Sequence, residues 1–243
     1  MTPTQFALAG VIFFAAHVVS AATGFGSGVL GLPLLALVVG LEPGKQSLLV
    51  LGILLYAYMS IRWRRHIDRR QLAFIMAVTS VGLVIGMLAA ARMNPRLSTA
   101  LLAGFVIAVG LRELLSIAPD MRAPRWLRHL MLLLGGVVHG AFTTGGPVLI
   151  VYCHHALPHK SAFRATLAAM WFLLGIALAV GWTLQHVWQP QTIRLSLLGL
   201  PFMIGGLFVG ELLHPRIDQK TFRSAVNLTL IAIGLVLALA AFR

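Results

Sequence analysis

Apolar runs long enough to cross a bilayer follow one another along this chain, separated by short polar links. A helix needs roughly 20 such residues to span the hydrocarbon core. Hydropathy and helix breakers divide the 243 residues into eight segments. A broken one covers about 4–40, interrupted at 24–28, and continuous ones follow at about 47–61, 71–91 and 97–117. A second broken one covers about 130–157, interrupted at 140–147, before continuous ones at about 165–184, 192–212 and 221–241. No polar stretch is long enough for a soluble domain. Only 10% of the residues are charged, against about 25% in an ordinary soluble fold. The chain reads as an all-α polytopic membrane protein, one membrane domain over 1–243.

The order of segments is broken, full, full, full, and then the same again. Short matches support a duplication into repeats 1–118 and 128–243. "GLPLL" at 31–35 answers "GGPVL" at 145–149, and "GMLAAARMNPRL" at 86–97 answers "GLFVGELLHPRI" at 206–217. The offset grows from 114 to 120 between the two matches, which places about six extra residues near "CHHALPHK", 153–160.

Loop charge selects the topology. If each broken segment dips in and returns as a hairpin, loops 62–70, 112–128, 158–164 and 213–223 share one face and hold 14 Lys and Arg. The other face keeps Lys45, Arg92, Arg96, Arg194 and Arg243. If the broken segments cross once, the split is 11 to 8. The positive-inside rule favours hairpins, with both termini outside. A hairpin plus three crossings makes the second repeat an inverted copy of the first, as in many secondary transporters.

The same rule, with anionic lipid headgroups, accounts for the net charge of +13 without a nucleic-acid partner. Cys153 is the only cysteine, which excludes an internal disulfide and CxxC chemistry. The first apolar run lacks the charged start of a secretory signal and is expected to stay in the mature protein.

Breaking a helix inside lipid leaves backbone N–H and C=O groups unpaired, at several kcal/mol each, unless protein or a wet cavity receives them. Gly24, Gly26 and Gly28 can take left-handed angles and allow close approach. The half-helix after each break directs its first N–H groups and the positive end of its dipole into the gap, a ready site for an anion. Gly31 follows the first break. Ser27, Thr143 and Thr144 add hydroxyls, with Gly145 and Gly146 completing the second break. Two inverted breaks would surround a small anion with neutral donors and still release it. Gly82/Gly86, Gly136/Gly140 and Gly206/Gly210 instead match the small-xxx-small spacing of close helix packing.

"GFGSGVLGLPLL", "GMLAAARMNPRLS" and "GGPVLIVY", in this order over nearly the whole chain, resemble the sulfite exporter TauE/SafE family of bacterial membrane transporters. The chain departs from it at Phe25, Ser27, Thr143 and Thr144, where glycine is common in the family. The resemblance implies a multi-pass inner-membrane carrier of sulfite, sulfonates or related organic anions.

Other polar residues complete the expectation. His17 precedes the first glycines by two helical turns, and His139 stands just before the second break; either could face the cavity. Lys45 and Arg164 each open the helix after a broken segment, where snorkelling to the interface competes with drawing anions to the two mouths. Asn227 is expected to be interhelical glue. His154, His155 and His159 have only Cys153 beside them, so no metal is expected, nor any cofactor. With Arg164 they are the one candidate constellation for a rival reading, an integral-membrane enzyme acting on a lipid or polyprenyl phosphate. None of the six carboxylates falls at mid-bilayer, so no carboxylate proton relay is expected. Moving one charge down the membrane potential yields about 2.3 kcal/mol per 100 mV. Anion efflux can run on that alone, and export is the expected direction.

Overall fold

The computed structural model describes residues 2–24, 26–115 and 124–213, together with Leu235. The apolar segment expected at 221–241, with Asn227, lies outside these residues, as do Arg216 and residues 116–123 of the 112–128 loop. Every regular element described is helical: α1 Pro3–Thr23, α2 Ser27–Val39, α3 Leu41–Arg62, α4 Arg69–Ala90, α5 Pro95–Leu114, α6 Arg125–Phe142, α7 Gly146–Ala156, α8 Lys160–Leu184 and α9 Gln191–Leu213, with a 3-10 turn at Arg64–His66. Six of them (α1, α3, α4, α5, α8 and α9) are long and apolar enough to cross a membrane. Their outer faces expose large apolar side chains such as Val11, Ile61, Val81 and Phe208, as lipid contact requires.

Both expected breaks are present. α1 begins with a reciprocal cap, in which Gln5 N–H donates to Thr2 Oγ1 and Thr2 N–H to Gln5 Oε1. It ends on Gly24 in the left-handed region at φ 87°, and Gly26 at φ 113° opens α2. α6 ends the same way on Thr143, at φ 56°. A β-branched residue is strained there. The interruptions are therefore narrow, Gly24–Gly26 and Thr143–Gly145. α3 starts at Leu41, earlier than the apolar pattern indicates. Pro43 and Glu42 both suit a first turn, where an N–H is dispensable and an acid meets the dipole.

Each broken segment folds back on itself. Gln5 Nε2 near the start of α1 donates to the Val38 carbonyl near the end of α2 at 3.1 Å. The start of α6 and the end of α7 share a second, open cavity lined by Arg125, Arg128, His129, Tyr152 and His155. α3 and α8 lie antiparallel beside the hairpins. At one end Gln46 of α3 accepts from Gln189 N–H at 2.8 Å and Thr192 Oγ1 at 2.7 Å, and donates to the Val187 carbonyl. At the other, Asp68 N–H donates to Thr166 Oγ1 of α8 at 3.0 Å. The α3–α4 link thus shares a face with the start of α8.

Small residues set the remaining contacts. On α4 and α6, a Cβ at Gly82, Gly86, Gly136 or Gly140 would strike the backbone of the facing helix. On α9, a Cβ at Gly206 or Gly210 would meet the Phe14 or Val18 carbonyl of α1. So α6 packs on α4 as α1 packs on α9, and α8 meets α4 as α3 meets α9.

The first of the two sequence matches does not correspond in structure. Gly31 is the fifth residue of α2, whereas Gly145 precedes α7 as its cap. The left-handed caps Gly24 and Thr143 lie 119 residues apart, the same offset as Lys45 and Arg164. With Gly86 and Gly206 offset by 120, the expected six-residue insertion is unnecessary. Short apolar strings slide against one another easily, while a helix end is fixed by backbone geometry.

Candidate functional site

The two hairpin tips touch. A Cβ on Gly28 would run into the Thr143 carbonyl and the Thr144 backbone, so only glycine permits this approach. Beside the contact lies a cavity of about 50 Å³. By the same measure a single water needs roughly 10–15 Å³, which leaves room for a few waters or a small anion. The tips supply Gly26, Ser27, Gly28, Val29, His139, Thr143, Thr144 and Gly146. The middle of α3 supplies Leu48, Leu49, Gly52, Ile53 and Tyr56, and the middle of α8 supplies Trp171 and Gly175. Among the described residues, no Asp, Glu, Lys or Arg lines it.

The donors at the cavity differ in part from those the sequence suggests. Ser27 N–H, the first amide of α2, is already taken by Ser20 Oγ at 2.7 Å, and Ser20 also meets Tyr56 Oη at 3.2 Å. The first-turn amides of α2 that remain to the cavity are those of Gly28 and Val29. α7 offers less. Pro147 has no N–H, and Val148 N–H is turned back to the Gly145 carbonyl at 3.2 Å, which leaves Gly146. The Thr143 hydroxyl donates to the Phe142 carbonyl at 2.6 Å, so toward an occupant it can only accept.

Side chains make up the difference. Thr144 Oγ1, both ring nitrogens of His139 and Trp171 Nε1 are buried without a hydrogen-bond partner, and all three residues line the cavity. The His139 and Trp171 rings lie 5.1 Å apart. A buried polar group without a partner costs about 1–3 kcal/mol. Four such atoms around one hollow call for a partner there, a water or a ligand. The indole N–H can only donate, so the occupant must accept.

Four of the expected site residues fall outside the lining. His17 is fully buried on the face of α1 that packs against Gly206 of α9, with Nδ1 donating to the Phe13 carbonyl at 2.7 Å. Gly31 is wedged between Ala16 and Leu48, Gly145 lies under α6 against His139, and Gly24 lies beneath Arg164. Trp171 and Tyr56 were missed. Each sits in an apolar run where an aromatic reads as core, and no spacing marks it. Of the rival constellation, Arg164 is bound to Ala21 and Glu211 at the tip of α1, while His155 lines the second cavity beside α4 and α6.

Comparison with known proteins agrees with this architecture. A curated relative, "Probable inner membrane transporter protein TsaS" of Comamonas testosteroni, is 29% identical over 182 residues, 74% of each chain. No solved structure matches. The family model described as sulfite exporter TauE/SafE matches residues 8–237. The chain is a multi-pass inner-membrane transporter, and it belongs to the sulfite exporter TauE/SafE family.

Proposed function

We propose that this transporter carries a small oxyanion (sulfite, a sulfonate or a related organic anion) outward across the inner membrane, holding it in the cavity between the two hairpin tips. The observation that carries the reading is the set of unpartnered donors at Trp171, Thr144 and His139, in a lining that holds no charged side chain among the described residues. Neutral donors bind an anion and still let it leave, as turnover requires. The amides of Gly28, Val29 and Gly146 add the partial positive charge of two helix starts.

Alternating access follows from two inverted halves, 1–118 and 128–243, rocking about the site, with eight membrane segments in all. In support, α1 packs on α9 as α6 packs on α4, α1 on α2 as α6 on α7, and α3 on α9 as α8 on α4, and the hairpins enter at opposite ends of the antiparallel α3/α8 pair. Export is favoured because efflux of an anion needs no coupled ion, and no acidic residue lines the cavity to relay protons. The enzyme reading is not favoured, since His155 and Arg164 stand in different surroundings and the relatives are transporters.

The test is a thermal-shift and binding panel of sulfite, thiosulfate, sulfonates, sulfate and carboxylates on purified protein, repeated with Thr144→Val and Trp171→Phe. A stabilising oxyanion whose effect shrinks in both variants supports the site. Equal stabilisation of wild type and variants removes it.

A further inference from the structure

Two cations are buried on either side of the cavity, and neither lines it. Arg164, near the start of α8, is 8% exposed, and Lys45, near the start of α3, is 5% exposed. Arg164 Nη2 donates to the Ala21 carbonyl at 2.7 Å and to Glu211 Oε1 at 2.9 Å, and its guanidinium lies 5.5 Å from the Trp63 ring. Lys45 Nζ donates to Glu42 Oε1 at 2.9 Å, approaches the Ala141 carbonyl at 3.5 Å and lies 5.3 Å from the Trp182 ring. Ala21 and Ala141 belong to the last turns of α1 and α6, the two helices that end at the breaks. Each cation therefore meets the negative end of the broken helix from the other half, at carbonyls in the turn where the intrahelical ladder stops.

The two sites occupy opposite ends of the antiparallel α3/α8 pair, Arg164 beside Trp63 at the end of α3 and Lys45 beside Trp182 near the end of α8. Each stands seven residues, about 10 Å along its helix, before a cavity residue, Gly52 or Trp171. The two ion pairs share a polarity as well. The cation side chains are 6% and 9% exposed while their carboxylates, Glu42 and Glu211, are 45% and 31% exposed. Each pair keeps its positive member inside against the tip and its negative member toward the outside. A fixed anchor would need only a neutral donor. A cation shared between a carbonyl and a half-exposed carboxylate can be released when an anion arrives from the carboxylate's side, and Arg164 Nε is buried without a partner.

We propose that Arg164 and Lys45 are positioning residues for transport: each latches the hairpin tip of the opposite half, one closing each end of the cavity, and the two open in turn. This rests on the carrier reading above. Both latches are closed in this structure, with the small cavity between them.

The test reads side-specific access in the full chain and needs no identified substrate. Val29→Cys, in the lining and on neither latch, is introduced with Cys153→Ala. Its reaction with a membrane-impermeant thiol reagent is followed in sealed vesicles of each orientation. Arg164→Gln should raise labelling from the face of the α3–α4 link by at least about fivefold, the factor for roughly 1 kcal/mol, and leave the opposite face unchanged. Lys45→Gln should do the reverse, and Arg164→Lys should restore the wild-type pattern. Should Arg164→Gln fail to fold, Glu211→Gln leaves the cation to the Ala21 carbonyl alone and should lower labelling from the same face; a rise there would overturn the latch. Equal increases from both faces, increases from one shared face, or no change in either variant would overturn the latches. Anion flux is measured in parallel. Side-specific labelling without flux counts against the carrier reading alone, and flux with symmetric labelling against the latches alone.

Discussion

Gly28 is the residue on which the site turns, because it lets one hairpin tip rest on the backbone of the other. Gly28→Ala puts a methyl group against the Thr143 carbonyl, which cannot move without unwinding the tip. The variant should lose substrate-dependent thermal shift and flux while the protein still reaches the membrane; full retention of flux would show that the tips do not need to touch. Trp171→Phe keeps an aromatic ring beside His139 and deletes one donor. A hydrogen bond to a charged partner contributes about 1.5–3 kcal/mol, so affinity for the anion should fall roughly 10–100-fold by titration calorimetry. Thr143 offers an independent check on the break itself. A β-branched residue at φ 56° is strained, and Thr143→Gly should raise unfolding stability by about 1 kcal/mol in detergent. At this scale the sequence disclosed the breaks and pointed to Thr144 and His139 beside them, but concealed Trp171. Glycines at two-residue spacing announce unusual backbone wherever they occur. Trp171 is one apolar residue among many, and it becomes a site residue only because α8 brings its indole edge beside Thr144 and His139. His17 misled for a related reason: counting turns gives height along α1, not the face, and its face belongs to α9.

Elements hold these tips in place through contacts that small residues make possible. α4 and α6 meet backbone to backbone at Gly82, Gly86, Gly136 and Gly140, and α6 carries His139 and ends at the second tip. Gly136→Val should therefore separate the pair and abolish folded, monodisperse protein, since branched bulk has only main chain to push against. The matched control is Gly104→Ala on α5, where an added Cβ meets nothing within 4 Å. It should be neutral or stabilising by up to about 1 kcal/mol, as helix propensity dictates. Similar losses in both variants would mean that the close approach is incidental. The small-xxx-small spacing made these interfaces legible in advance, though not which helix each glycine faces, because one sequence fixes a stripe and not its partner. Gln46 was not legible at all. Its amide ties the start of α3 to the α8–α9 turn through Val187, Gln189 and Thr192, three partners more than 140 positions away.

The whole molecule joins loop charge to contact geometry. Loops 62–70 and 158–164, which the positive-inside rule assigns to one face, do lie together, with Asp68 on Thr166 and Trp63 beside Arg164. α4 carries the chain from that face to Arg92 at its far end. With Cys153 replaced by alanine, His66→Cys should react with an impermeant thiol reagent only in inside-out vesicles, and Arg92→Cys only in right-side-out ones. Both positions are exposed and free of the candidate site. The opposite result would place the Arg-rich link outside, against the orientation that four short basic loops impose together. It would also swap the faces at which Arg164 and Lys45 stand. Export would keep its driving force even so, because the potential acts on the charge of the anion and not on the orientation of the carrier. Orientation fixes which latch an outgoing anion meets first, and on the positive-inside assignment that is Arg164.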